Sequence, residues 1–183
     1  MSIKNWKQEL FTIPNLLTLS RIGMIPAYMT IYRNATRPED YCLAGGLLGL
    51  SCLTDLADGW IARRFHMTSR LGKILDPLAD KATQLTLLVS LSLRRMVLRP
   101  LLWIFLAKEC LQLCGVILRL HRATPPPWAL MAGKVCTAVL FVTLTALVFF
   151  PGIPDPIAGL LATVDALCLT AAFTGYALII LKQ

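Results

Sequence analysis

The chain has 183 residues, 56% of them apolar, a mean hydropathy of +0.66 and a formal net charge of +8. A water-soluble domain of this length does not need so much apolar surface, so the composition excludes an ordinary soluble globule and points to a single polytopic membrane domain over residues 1–183. The positive charge suits anionic lipid headgroups or a phosphorylated substrate; it is scattered between apolar segments and forms no stripe, which argues against nucleic acid.

The expected architecture is all-α, with six transmembrane helices and a short N-terminal interfacial helix. Residues 1–11 mix Lys4, Lys7, Trp6 and Phe11, as a helix in the headgroup layer does; a frayed terminus is the alternative. Residues 12–32 are the first span. Asn15, Thr18 and Arg21 recur every third residue, so they share one face, which should look into the bundle or a cavity. A cap and an interhelical hydrogen bond would explain Asn15 and Thr18, but Arg21 sits too far inside the span for that. The second span covers 41–62, with Gly45 and Gly46 permitting close helix contact. A basic loop follows at 63–71, and the third span runs from Gly72 to about Leu93 with Pro77 in its first turns. Arg94, Arg95 and Arg99 mark a loop. The fourth span, Leu101 to about Leu120, carries adjacent Lys108 and Glu109, which suggest an inward polar site or a buried pair with other helices. Pro125 to Pro127 stiffen the next loop, the fifth span covers about 128–150 with Lys134 near its start, and the sixth covers about 157–181 with Asp165 inside it. An interhelical hydrogen bond is the default reading of Asp165. The six cysteines lie in apolar segments without CxxC spacing and read as small core residues.

One stretch concentrates the chemistry. Between residues 55 and 80 lie four of the ten acidic residues: Asp55 and Asp58 three apart, Asp76 and Asp80 four apart. Each spacing puts a pair on one helix face, one turn apart. Four carboxylates in apolar surroundings repel one another and resist desolvation, so one or two divalent cations held between two helix ends would compensate them. Four unrelated solvated acids would need a polar loop, which the neighbouring residues do not provide.

The same stretch resembles the signature of the CDP-alcohol phosphatidyltransferases, in which Asp55, Asp58-Gly59, Ala62-Arg63, Gly72, Asp76 and Asp80 occupy the fixed positions, with eight residues between Arg63 and Gly72. The resemblance implies six membrane helices around a polar cavity open to the cytoplasm, and transfer of a phosphatidyl group from CDP-diacylglycerol to an alcohol with release of CMP. It implies that Asp55, Asp58, Asp76 and Asp80 hold two Mg2+ (or Mn2+) ions and that Asp80 is also the general base. By the same pattern Gly59, Ala62, Arg63, Ser69 and Gly72, with Asn15 and Thr18 of the first span, bind the CDP-lipid. Homodimers are common in the family, but no span here marks an interface.

For the acceptor, the string IPNLLTLSRIGMIP resembles the glycerol 3-phosphate branch, the phosphatidylglycerophosphate synthases. That branch carries Arg-Glu in its fourth helix and Gly-Lys-x-Lys-Thr in its fifth; this chain has Lys108-Glu109 and Gly133-Lys134-Val135-Cys136-Thr137. Arg70, Lys108, Arg119, Arg122 and Lys134 are the candidates for an acceptor phosphate, although Arg119 and Arg122 read equally as topological anchors. The alternatives are cardiolipin synthesis with phosphatidylglycerol as acceptor, another polar acceptor, or a scaffold or transporter without catalysis. The basic residues favour termini and acidic stretch on the cytoplasmic side of a bacterial cell membrane; the Arg94–Arg99 cluster opposes this.

Overall fold

The computed structural model describes residues 13–64, 72–119 and 127–181, and the regular structure there is entirely helical. Helices α1 (Ile13–Asn34), α2 (Pro38–Arg64), α3 (Gly72–Arg94), α4 (Arg99–Arg119), α5 (Pro127–Phe149) and α6 (Asp155–Leu181) follow in order, with one 3-10 turn at Met96–Leu98 between α3 and α4. The all-α expectation holds, and each helix coincides with an expected span to within a few residues. The expected interfacial helix at 1–11 lies outside the described residues.

The helices have 21 to 27 residues, so at 1.5 Å per residue each is about 30 Å long or more, enough for a bilayer core of about 30 Å. Composition is more restrictive. Among the described residues one helix is long and apolar enough to cross a membrane, over Asp155–Ala172, and Val135–Phe149 is a shorter apolar stretch.

The chain divides into two compact units, residues 1–90 and 91–183. In the first, α1 packs along α2. Their junction is set locally. Pro38 opens α2, where a missing N–H costs nothing. The Asp40 carboxylate, one turn in, accepts from the backbone N–H groups of Thr36 and Arg37, both at 2.9 Å. Those two hydrogen bonds, Arg37's first, hold the Asp40 carboxyl below its usual range. Tyr28 stacks on Tyr32, and Tyr32 meets Tyr41 edge-on across the turn. Of the two expected contact glycines, Gly45 is buried, but Gly46 is exposed and a Cβ there would meet nothing, so only Gly45 belongs to a packed face. Helix α3 is tied to α1 by three polar contacts: Thr18 to Asp76, Arg21 to Asp80, and Tyr28 to Ser90. The partners ascend together in number, so α1 and α3 run parallel, as an up-down-up arrangement requires.

In the second unit α6 packs against α4, α5 and the 3-10 turn. A Cβ on Gly159 would stand 2.9 Å from Val97 Cγ2, so glycine is what lets α6 approach that turn. Arg95 fastens the loop between α5 and α6: its guanidinium donates to the carbonyls of Ile153 at 2.7 Å and Pro151 at 2.6 Å, and lies 3.5 Å from the Asp155 carboxylate. Asp165 is buried and accepts from Thr143 on α5 at 3.4 Å, a long interhelical hydrogen bond of the kind expected. Lys108 is buried, but its ammonium bonds the adjacent Glu109 at 2.6 Å and lies over the Phe105 ring, rather than reaching for an acid on another helix. The described cysteines depart from their expected core role; the Cys114 side chain lies outside the described residues. Cys42 and Cys110 are exposed, and Cys52, Cys136 and Cys168 are half-buried thiols.

Candidate active site

The polar face of α1 is where the acidic stretch converges. Asn15, Thr18 and Arg21 are 1%, 0% and 2% exposed, so the three-residue spacing puts all three on the face turned inward. A fully buried guanidinium stays charged, because its pKa is too high to surrender a proton, and it must therefore be met by anions. Two are supplied from different helices. Arg21 Nη1 lies 2.5 Å from Asp55 Oδ1 on α2 and 3.0 Å from Asp80 Oδ1 on α3. One turn before, Thr18 donates its hydroxyl to Asp76 Oδ1 at 2.9 Å. Thus α1 holds three of the four carboxylates through the Thr18 hydroxyl and the Arg21 guanidinium.

The carboxylates lie on the open side of this arrangement. The side chains of Asp55 and Asp80 are 45% and 54% exposed, against 3% for Arg21. Asp80 lies within electrostatic reach of both Asp55 and Asp76. On the other side Arg21 lines a cavity of about 20 Å³ with Met24, Tyr28, Leu48, Ser51 and Leu87 among its walls. That volume admits a water molecule and no more, so this cavity is not where a substrate sits, and the exposed side of the carboxylates is the open approach among the described residues.

The oxygen-only, anionic donor set suits a hard divalent cation that keeps part of its shell for substrate phosphates. Among the described residues no group of three or more His, Cys, Asp or Glu side chains is placed to hold a metal ion. The Asp58 side chain lies outside the described residues; its backbone is one turn beyond Asp55 on α2.

The remaining expected site residues fall as follows. Gly72 is buried at the first position of α3. Gly59, Ala62 and Arg63 ride on the last turns of α2, with side-chain surroundings outside the described residues, as are those of Arg119 on α4 and Lys134 on α5. Ser69, Arg70 and Arg122 lie outside the described residues altogether. Lys108 belongs to the second unit. The residue missing from the expected site is Arg21. Its signal was present in the sequence, a cation in register with Asn15 and Thr18 on a helix that precedes four acids.

Comparison with known proteins places this geometry. Residues 11–179 match the family model described as CDP-alcohol phosphatidyltransferase. The chain is 38% identical over 120 residues to the human protein named cardiolipin synthase (CMP-forming), a match covering 64% of this chain and 38% of the human one. It is 34% identical over 147 residues to a Streptomyces coelicolor protein of the same name, covering 79% of this chain and 68% of the relative. It is also 36% identical over 138 residues to the Aquifex aeolicus CDP-diacylglycerol–glycerol-3-phosphate 3-phosphatidyltransferase, covering 74% of this chain and 73% of that one. The chain therefore spans well under half the length of its human relative and about two thirds or more of the two bacterial ones. With the model match running from α1 into α6 and the carboxylates of α2 and α3 gathered on α1, the chain belongs to the CDP-alcohol phosphatidyltransferase family.

Proposed function

We propose that this protein transfers a phosphatidyl group from CDP-diacylglycerol to glycerol 3-phosphate, giving phosphatidylglycerophosphate and CMP. The observation that carries the reading is the convergence of Asp55, Asp76 and Asp80, from two helices, on the buried polar face of a third. In the reaction the acceptor oxygen bonds to the phosphorus bearing the diacylglycerol, the bond from that phosphorus to the CMP oxygen breaks, and Asp80 takes the acceptor proton. Asp80 suits this role because its side chain is half exposed on the open side, with Arg21 holding one of its oxygens. Asp55, Asp58, Asp76 and Asp80 would hold two Mg2+ or Mn2+ ions. When bound, these would neutralise the pyrophosphate and lower the acceptor hydroxyl's pKa. Gly59, Ala62, Arg63, Ser69 and Gly72, with Asn15 and Thr18, are assigned to the CDP-lipid; Arg63 offers a planar fork for the pyrophosphate. Arg70, Lys108, Arg119, Arg122 and Lys134 are assigned to the acceptor phosphate.

The same proposal includes six membrane spans forming one membrane domain. Three helices support it through apolar stripes left exposed at helical spacing: Leu43, Leu50, Leu53 and Trp60 on α2, Val135, Val139 and Val142 on α5, and Ile157, Leu160, Val164 and Leu167 on α6. A surface so apolar fits lipid. The proposal also puts the carboxylates on the cytoplasmic side, following the basic residues near the termini and the 63–73 loop.

Phosphatidylglycerol is the second acceptor to consider, giving cardiolipin. It is favoured by relatives named cardiolipin synthase, by Cys136 standing where the glycerol 3-phosphate branch has a lysine, and by Lys108 being engaged with Glu109. Purified protein in detergent with CDP-diacylglycerol should release CMP only with a divalent ion and an acceptor, and fastest with glycerol 3-phosphate. Faster release with phosphatidylglycerol would install the second acceptor. Asp80→Asn should abolish release in protein that still folds; turnover at the parent rate would remove Asp80 from the base role.

A further inference from the structure

Arg21 is a permanent charge, 2% exposed, set between carboxylates of two other helices. It reaches Asp55 and Asp80 through the same nitrogen, and in each case the atom it meets is Oδ1. Without a cation between them these two acids would repel one another across α2 and α3. We propose that Arg21 is the built-in counter-ion of the carboxylate site, joining Asp55 to Asp80 until a divalent cation takes their oxygens, and weakening that cation's binding by competing for them. This rests on the reading of the carboxylates as cation ligands. Two positive charges cannot share the same Oδ1 atoms cheaply, so the guanidinium gives way when the ion arrives. Arg21 also borders a water-sized, almost wholly apolar cavity, which leaves its side chain space to shift. The arrangement offsets part of the carboxylate charge when no ion is bound, and it couples cation binding to the packing of α1 against α2 and α3. Arg21 is thus a positioning residue, acting on the ligands and not on the substrate.

The test is a Mn2+ titration of the purified full chain in detergent, with free Mn2+ followed by electron paramagnetic resonance, paired with thermal unfolding with and without the ion. Removing a unit charge at hydrogen-bond range from a half-exposed site should tighten Mn2+ binding about tenfold in Arg21→Gln. Its unfolding temperature without Mn2+ should fall, and the rise on adding Mn2+ should exceed that of the parent. Arg21→Lys, which keeps a charge but loses the planar fork, should shift both readouts the same way by less, and it decides the matter if the glutamine variant does not fold. Mn2+ binding no tighter than the parent's in the folded variants, or unaltered stability without the ion, overturns the inference. Asp80→Asn should lose Mn2+ affinity. A parent protein that binds no Mn2+ overturns the cation-ligand reading and the counter-ion with it, whereas a parent that binds and an Arg21→Gln that binds equally overturns the counter-ion alone.

Discussion

Replacing Arg95 by Met keeps most of the apolar stem and removes the guanidinium, and the structure sets what this should cost. Two charge-assisted hydrogen bonds are lost, 2.7 Å to Ile153 and 2.6 Å to Pro151, the first partly buried and the second exposed. Hydrogen bonds involving a charged partner contribute about 1.5–3 kcal/mol when sheltered and less when water can replace them, so the pair should be worth roughly 2–4 kcal/mol. The ion pair to Asp155 adds little, since it is 3.5 Å long and the Asp155 side chain is 71% exposed; exposed pairs contribute about 0–1 kcal/mol. Unfolding by SDS in mixed micelles should therefore show Arg95→Met destabilised by about 2–4 kcal/mol and Asp155→Asn by less than about 1 kcal/mol. An Arg95→Met variant as stable as the parent, or an Asp155→Asn variant equally damaged, would refute the view that the arginine serves the loop carbonyls.

Thr18→Val removes the donor to Asp76 and should cost about 1–2 kcal/mol of stability and lower CMP release, measured by unfolding and turnover on the same preparation. Two glycines should respond with opposite sign. Gly159→Ala drives a methyl against Val97 Cγ2 and should destabilise by about 1–3 kcal/mol. Gly46→Ala meets open space inside α2 and should stabilise by up to about 1 kcal/mol; matching signs in the same SDS titration would contradict the packing described. The Asp40 carboxyl, lowered by the Arg37 and Thr36 amides, should titrate below the ordinary aspartate range, measured by nuclear magnetic resonance. Because the folded form is the stronger acid, its contribution to the α2 start is present at neutral pH and is lost only as the pH falls through that lowered midpoint. At neutral pH, Asp40→Asn should speed exchange of the Thr36 and Arg37 amide protons.

The helices were legible because apolar runs of about 20 residues separated by Pro and Arg clusters leave few other readings. The inward face of α1 was legible too, since a three-residue rhythm of Asn15, Thr18 and Arg21 has one geometric meaning on a helix. What periodicity cannot supply is a partner. Arg21 meets Asp80 across 59 residues of sequence, and nothing local to either says so. Arg95 misled for a related reason. In sequence a basic residue beside a loop looks like a charge anchored at the membrane surface, whereas its guanidinium is committed to carbonyls 56 and 58 residues away. Gly46 looked like a contact because its neighbour Gly45 is one, but adjacent residues on a helix point about 100° apart, and only one of them can face a given partner.

The parallel run of polar contacts from Thr18–Asp76 through Arg21–Asp80 to Tyr28–Ser90 also bears on biosynthesis. On the proposed six-span reading, a lone first helix in lipid would carry an uncompensated arginine, at about 2.5–3.5 kcal/mol on insertion scales. Its counter-charges arrive only when Asp55 and then Asp80 have been synthesised. A nascent chain of that kind has reason to keep its first segment beside the insertion machinery until the third emerges, and the rungs then limit how far one helix can slide along the other.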